Sequence, residues 1–506
     1  MDCLTPCLTL GVPVSTRFFI LGKTGSLYFN KAGSLLDAVT ELTSFLGRMP
    51  ELPEWLLGGA VLGVQGGTDT MLSRYRQAKA FDIPVAGIWI QDWSGKVDME
   101  FGQRVNWDWR WDPRWYPDLD KVIKNLKQDG VRVLAYINPY LRQNGDMFKE
   151  AEALGYLVRN GTGDVYLQRS VTLMFGSVDL TNPSAYSWYK NIIKTNLIGL
   201  GMGGWMADFG EYLPVDAVLH DGRSGLEGHN EWPVLWAKLN REALEETGQL
   251  GEIVFFTRAG FSGTSKFTTL VWNGDQNVDF SPADGVRSSV YGTLSLAVSG
   301  VGLSHFDIGG YTTLADLGLT RSGELLLRSA EMAVFTPVFR THEGNQPKAN
   351  AQWYNNNTIS SFARLAKQFA LLADYRKFVV QQVSRAGVPA QLPVSVVYEG
   401  SPSPYSQFLF GSDLLVAPVC QENVQDLWVS LPVSRGYDWV HLWTRTSYTG
   451  GQTILVPVPL GQPAVFYRSD SAFRQVFDSL TTTTHTKRLA PELGFLPSPG
   501  RKWRHS

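Results

Sequence analysis

The chain has 506 residues, with 45 Lys+Arg against 47 Asp+Glu and a formal net charge of −2. That balance offers no basic surface for a phosphate backbone, so nucleic acid is not an expected partner. Hydrophobic residues make up 44% and charged residues 18%, which excludes a disordered chain and supplies a large core, in roughly two to four domains or one large barrel with additions.

The first fifty residues are mixed and too few for an independent domain with a good core. From about residue 50, short apolar runs alternate with amphipathic ones. Trp55–Gly67 reads as a buried strand followed by a helix over Met71–Phe81. Val85–Trp93 is a second strand, and Leu119–Gln128 a helix with Leu119, Val122, Ile123 and Leu126 on one face. Arg132–Tyr140 is the third strand, backed by Ser184–Asn196, and the run to Asp208 the fourth, backed by Trp232–Thr247. Glu252–Ala259 and Thr268–Asp275 follow, then a helix over Arg287–Val298. Val301–Tyr311, a helix over Gly323–Val334 and Thr336–His342 complete eight strands. Strands alternating with helices predict an α/β fold, a (β/α)8 TIM barrel over 51–394. An open doubly wound sheet is the rival, but neither GxGxxG nor GxxxxGK[ST] stands between a strand and a helix here. One long helix over Ser360–Val383 closes the barrel.

Beyond it, Val394–Tyr398, Leu414–Val419, Asp426–Leu431, Tyr437–Trp443, Gln452–Pro457 and Ala464–Tyr467 are short, often β-branched or aromatic, and separated by turns. They predict a small all-β sandwich over 395–475, with 476–506 as a disordered tail.

Cys3, Cys7 and Cys420 are too few for a closed disulfide framework, and no CxxC, HxxxH or HExxH occurs. Neither a metal nor another cofactor is expected. Asp2 stands where a secretory leader would be positive, Pro6 and Pro13 break its apolar stretch, and no run approaches 18 uninterrupted apolar residues. No membrane span is therefore expected; cytoplasm is the default compartment, with the true compartment and the oligomeric state left open. Asn160-Gly161-Thr162 and Asn356-Asn357-Thr358 fit a glycosylation sequon, a triplet common by chance.

A barrel presents its reactive groups at the C-terminal ends of its strands. Those ends carry Gln91-Asp92-Trp93, Asn138, Asp208-Phe209-Gly210-Glu211, Arg258, Asp275, Asp307 and His342. Two carboxylates facing each other across a mouth, Asp208 and Asp275, are the minimum equipment for glycoside hydrolysis: one ionised, the other holding a proton. Taken alone, the same carboxylates fit equally well as partners of Arg258 or as helix caps.

Trp205-Met206-Ala207-Asp208-Phe209-Gly210-Glu211 resembles the nucleophile segment of glycoside hydrolase family 31, the retaining α-glucosidase family, and Trp272-Asn273-Gly274-Asp275 its acid/base segment. Arg258, His305-Phe306-Asp307-Ile308-Gly309-Gly310, Phe339-Arg340-Thr341-His342 and Phe410-Gly411-Ser412-Asp413 follow in the family's order over about 50–475. The resemblance implies Asp208 as nucleophile, Asp275 as general acid/base roughly 5–5.5 Å away, and Arg258 and His342 as binders of sugar hydroxyls. It also implies an N-terminal β domain, of which residues 1–50 would be a remnant or linker.

A finer resemblance is to the sulfoquinovosidase branch. Gln91 stands where typical α-glucosidases carry an Asp that grips the C4 and C6 hydroxyls. Phe101-Gly102-Gln103-Arg104-Val105-Asn106-Trp107 and Tyr311 complete the likeness. The chemistry is consistent: a sulfonate at C6 is a permanent anion, which an Asp would repel and a neutral Gln tolerates. The resemblance implies that Arg104 binds the sulfonate through charge-assisted bonds, Trp107 through its indole N–H and Tyr311 through water. The expected substrate is a small α-sulfoquinovoside such as sulfoquinovosyl glycerol. A neutral α-glucosidase and a non-catalytic sugar-binding relic remain the alternatives.

Overall fold

The computed structural model describes residues 32–481 apart from 100, 101, 171, 403 and 405. Cys3, Cys7, Phe101 and residues 482–506 of the expected tail lie outside the described residues.

Seven parallel strands form one sheet in chain order: β1 (Ala60–Val64), β2 (Val85–Ile90), β3 (Arg132–Ile137), β4 (Gly204–Ala207), β5 (Val254–Thr257), β6 (Leu270–Trp272) and β7 (Ser304–His305). The eighth position, at 339–342, is reduced to backbone bridges that nevertheless close the barrel. Val61 N–H donates to Phe339 O (2.9 Å), Thr341 N–H to Val61 O (3.0 Å), and Ile308 N–H to Arg340 O (3.0 Å). The strands are near-continuous apolar runs, as a sheet covered on both faces requires. They are shorter than the sequence suggested, because the apolar runs include the first residues of the loops that leave the mouth.

Leu119–Gln128 is helical over the expected residues and buries Leu119, Ile123 and Leu126. The single helix expected over Ser360–Val383 is instead two, Ile359–Leu371 and Ala373–Ala386. Arg376 pins the break: fully buried, it donates to the carbonyls of Leu57, Phe369, Thr336 and Val334, an anchorage that periodicity cannot reveal.

The C-terminal region is all antiparallel β. Its strands are β8 (Gln391–Leu392), β9 (Phe408–Phe410), β10 (Leu414–Ala417), β11 (Asp426–Leu431), β12 (Trp439–His441), β13 (Ser447–Tyr448), β14 (Gln452–Pro457) and β15 (Ala464–Arg468). A six-stranded sheet, β8-β9-β10-β15-β12-β13, faces the pair β11-β14 across a core that includes Leu409, Leu415, Val429, Trp439, Val456 and Phe466.

The described part of residues 1–50, expected as a remnant or linker of a β domain, holds a helix, Leu35–Leu46, capped by the Ser34 hydroxyl. Two expectations need correction. Val394–Tyr398 is not a strand: Val394–Val397 is a turn of helix after Pro393, and Val396 shares a buried cluster with Val39. The tail from 476 is ordered at its start. Arg474–Ser479 is helical, and Phe477 packs on Tyr375 and Tyr467 with its side chain fully buried.

Two small sheets at the mouth were not foreseen. A hairpin of Lys96–Met99 and Gly102–Val105 follows β2. Tyr140–Arg142, Leu173–Ser177 and Leu167–Ser170 form a second sheet after β3. Both are short and lack the alternation that signals a strand.

Candidate active site

Asp208 is where β4 leaves the barrel. Its N–H still donates to Ile137 O (2.9 Å), and then Phe209 and Gly210 turn the chain sharply with φ of 59° and 105°. A left-handed Phe stores roughly 1–3 kcal/mol of strain, which persists only where the surroundings hold it. Here the turn lets the Phe209 N–H donate to Asp208 Oδ1 (2.8 Å), while the Tyr136 hydroxyl donates to Oδ2 (2.6 Å). Asn138 in turn donates to Tyr136 Oη (3.1 Å). Both oxygens of a nearly buried carboxylate thus accept hydrogen bonds, an arrangement that fixes an ionised acid in one orientation.

Asp275 lies past β6, after Gly274 at φ 84°. Its side chain keeps 44% of its surface open to the cleft. Desolvation by the surrounding protein and the negative charges of Asp208, Asp307 and Glu211 raise its carboxyl to about 7, against the opposing pull of Arg258. Water in the open cleft moderates this effect, and a sugar filling the cleft would strengthen it.

One guanidinium joins the pair. Arg258 lies 3.4 Å from Asp208 Oδ1, 3.3 Å from Asp275 Oδ2 and 2.5 Å from Glu211 Oε1, with its charge over the Phe209 ring. Three carboxylates share one cation, so the cluster relieves its excess negative charge by keeping a proton, and the most perturbed member is Asp275. Arg258, expected to bind hydroxyls, directs its donors to Glu211 and Asp275.

Gln91 and His342 line one narrow crevice together with Gln65, Trp89 and Glu343. Gln91 faces this crevice while its neighbour Asp92 is fully buried. Asp92 accepts from Gly66 N (2.9 Å), Trp115 Nε1 (2.8 Å) and Tyr116 Oη (2.6 Å), and is therefore a scaffold residue. His342 Nδ1 accepts from Gly344 N (2.9 Å), which leaves the ring proton on Nε2 as a donor. Burial, with Arg340 and Arg321 nearby, holds this imidazole neutral by pushing its pKa well down. Tyr311 meets His342 edge to face at 4.7 Å, and its phenol is raised by burial and by Asp275 and Asp208, with Arg104 acting in the opposite sense.

Arg104 stands on the unforeseen hairpin, opposite Val97. Its guanidinium forms no ion pair or hydrogen bond among the described residues, and Trp107 Nε1 has no partner there either. The Trp107 ring packs on Phe209, Tyr140 and Phe175, which places it beside the turn that carries Asp208. The eight expected site residues therefore gather around one mouth. Tyr136, one residue from the end of β3 and in no motif, gives no signal in the sequence, and Gln65 none beyond its place at the end of β1. Glu211 is visible beside Asp208, but nothing in the sequence gives it a role.

Residues 49–372 match the glycosyl hydrolases family 31 TIM-barrel domain, and residues 387–473 the glycosyl hydrolase family 31 C-terminal domain. The chain belongs to glycosyl hydrolase family 31. Within family 31 it is 48% identical over 459 residues to the sulfoquinovosidase of Escherichia coli (strain K12), covering 90% of this chain and 67% of that protein. It is 41% identical over 459 residues to the sulfoquinovosidase of Agrobacterium fabrum (strain C58), covering 90% and 68%. Alpha-glucosidase 2 of Bacillus thermoamyloliquefaciens is more distant, at 26% over 457 residues, covering 86% of this chain and 55% of that protein. A solved family 31 sulfoquinovosidase from E. rectale, in complex with an aza-sugar inhibitor, superposes with a TM-score of 0.86 at 44% identity, covering 89% of this chain and 68% of that one.

Proposed function

We infer that the chain is a retaining α-glycosidase that cleaves α-sulfoquinovosides, such as sulfoquinovosyl glycerol, to release sulfoquinovose. The observation that carries the reading is the Arg104 guanidinium, which has no ion pair or hydrogen bond among the described residues and whose charge acts on the Tyr311 phenol, at a mouth where Gln91 is neutral. A partly buried cation with no counter-ion among the described residues is poised for an anionic ligand. The names of the Escherichia coli and Agrobacterium fabrum relatives, at 48% and 41% identity, support the same substrate class.

In this mechanism a carboxylate oxygen of Asp208 attacks the anomeric carbon as the glycosidic C–O bond breaks. Asp275 gives its proton to the departing oxygen, and the result is a covalent glycosyl-enzyme with a free alcohol. Asp275, now ionised, takes a proton from water as that water's oxygen displaces Asp208. The sugar leaves with its original anomeric configuration, and both carboxyls return to their starting states. Tyr136 and the Phe209 N–H steady Asp208 as nucleophile and as leaving group. His342 donates Nε2–H to a sugar hydroxyl, Gln91 hydrogen-bonds the C4 side, and Arg104, Trp107 and Tyr311 hold the sulfonate. No cofactor is required by this chemistry.

The test is hydrolysis of 4-nitrophenyl α-sulfoquinovoside beside 4-nitrophenyl α-glucoside, with Asp208→Asn as control. Cleavage of the sulfonated substrate alone, lost in the control, is the expected result. In Arg104→Met, kcat/KM on the sulfoquinovoside should fall about 100-fold, with less than about threefold change on any residual glucoside reaction. Cleavage of the glucoside alone would make the chain a neutral α-glucosidase. Silence of folded protein on both would make it a binding relic.

A further inference from the structure

Behind the Tyr311–His342 edge of the cleft lies Arg321, a guanidinium only 3% exposed. It forms no ion pair among the described residues; its donors all go to neutral acceptors. Nε donates to Ala351 O (2.8 Å), Nη1 to His342 O (2.9 Å) and Gly310 O (3.1 Å), and Nη2 to Gln352 Oε1 (2.9 Å). Ile308 O and Glu343 O, each at 3.4 Å, complete the ring of acceptors. A lysine has three donors at one point and cannot reach this spread; the planar fork of arginine has five.

The acceptors belong to three separate segments. One is the turn after β7 that delivers Tyr311, another is the stretch that carries His342, and the third is the loop at 351–352. The first two lack a continuous strand ladder at this point: their backbones pair only at the Ile308–Thr341 bridge, past the end of β7, and Arg340 adds side-chain links to His305 and Asp307 below it. The Arg321 guanidinium adds cross-links above the bridge, at Gly310 and His342. Gly309 leaves room for it: a Cβ there would lie 2.5 Å from Arg321 Cδ. Asp307 and Glu343 act favourably on this guanidinium from nearby, yet burial outweighs them, a cost that an apolar side chain of similar volume would not carry, so general stability alone is a poor reason for it.

We propose that Arg321 is a positioning residue that fixes the spacing of Tyr311 and His342, and with it the grip on the C6 substituent relative to the ring hydroxyls. It touches no substrate. The inference rests on the assignment of Tyr311 and His342 to substrate given above.

The test uses Arg321→Lys, together with Gln352→Leu, which keeps Arg321 but removes one acceptor. KM and kcat on 4-nitrophenyl α-sulfoquinovoside are measured per active site, with the active fraction titrated by a mechanism-based fluorosugar. KM should rise about tenfold in Arg321→Lys while kcat per site changes less than about threefold. In a Tyr311→Phe, His342→Ala background the same substitution should raise KM by less than about threefold, because its effect passes through those side chains. An equal rise in that background, or a loss confined to kcat, overturns the proposal. If Arg321→Lys does not fold, Gln352→Leu carries the same comparison with an expected KM rise of about threefold.

A second readout is independent of turnover. The His342 Cε1–H proton resonance senses the rings of Tyr311 at 4.7 Å and Trp89 at 4.9 Å. It should move in Arg321→Lys or Gln352→Leu, and an unmoved resonance overturns the proposal. A wild type that cleaves neither glycoside while this resonance moves would overturn the functional reading and leave the positioning role supported.

Discussion

Glu211→Gln tests the electrostatics of the acid/base group. The fall of kcat/KM at high pH reports the group that must be protonated in the free enzyme. If that group is Asp275, activity is lost as pH rises through a value of about 7, held up first by desolvation and then by neighbouring charge. Glutamine keeps an oxygen for Arg258 but removes a negative charge. Two consequences follow, and both lower the Asp275 pKa: one repulsion is gone, and Arg258 loses a competing carboxylate. Glu211 Oε1 and Asp275 Oδ2 are bonded to the same guanidinium, at 2.5 and 3.3 Å. They are thus no more than about 8 Å apart, where unit charges interact by about 1 kcal/mol at an effective dielectric near 40. That converts to roughly 0.7 pH unit, and the open cleft brings the expectation to about 0.5 unit. The assay is kcat/KM for sulfoquinovosyl glycerol, whose alcohol needs a proton to leave, between about pH 5 and 9 at constant ionic strength. The sulfonate does not titrate in that range, so the substrate adds no limb of its own. The high-pH limb should move to lower pH, and by less in high salt. A limb that stays in place or moves upward would refute the assignment of Asp275 as the coupled acid.

Asp275→Asn should slow release of a poor leaving group such as glycerol about 100-fold more than release of 4-nitrophenolate, which departs without a proton; equal losses in paired kcat/KM measurements would argue against general acid catalysis. Asp92→Asn turns one acceptor toward donors that already fill the site, and urea unfolding should show a loss of about 2 kcal/mol. Phe477→Ala should lower stability by about 3–5 kcal/mol, because that ring is fully buried against Tyr375 and Tyr467; a change within about 0.5 kcal/mol would mean that this segment is the loose tail its sequence suggests.

Much of the architecture is legible in the residues themselves. Apolar runs separated by periodic helices specify a barrel because a parallel sheet must be covered on both faces. Asp208 and Asp275 stand out because each ends such a run. Gln91, Arg258 and His342 also stand at strand ends, but their roles, like the choice of Arg104, Trp107 and Tyr311, come only from likeness to a family, since a lone polar side chain at a strand end says nothing about where it points.

Other features depend on contacts between residues far apart in the chain. The break at Leu372 exists because Arg376 reaches carbonyls as distant as Leu57, and Val394–Val397 is helical because it packs on Leu35–Leu46. The ordered end at Phe477 has the same kind of cause. Tyr136 reads in sequence as one more apolar strand residue, yet its hydroxyl meets Asp208 from the next strand. The proton on Asp275 is decided in the same way, by burial and by carboxylates that the closed barrel brings to one guanidinium. Local pattern determines which segments form strands and helices, because it acts through backbone preference and burial along a few residues. Charge state, side-chain direction and the bonds of Arg321 depend on distances in space, and only the closed tertiary structure sets those.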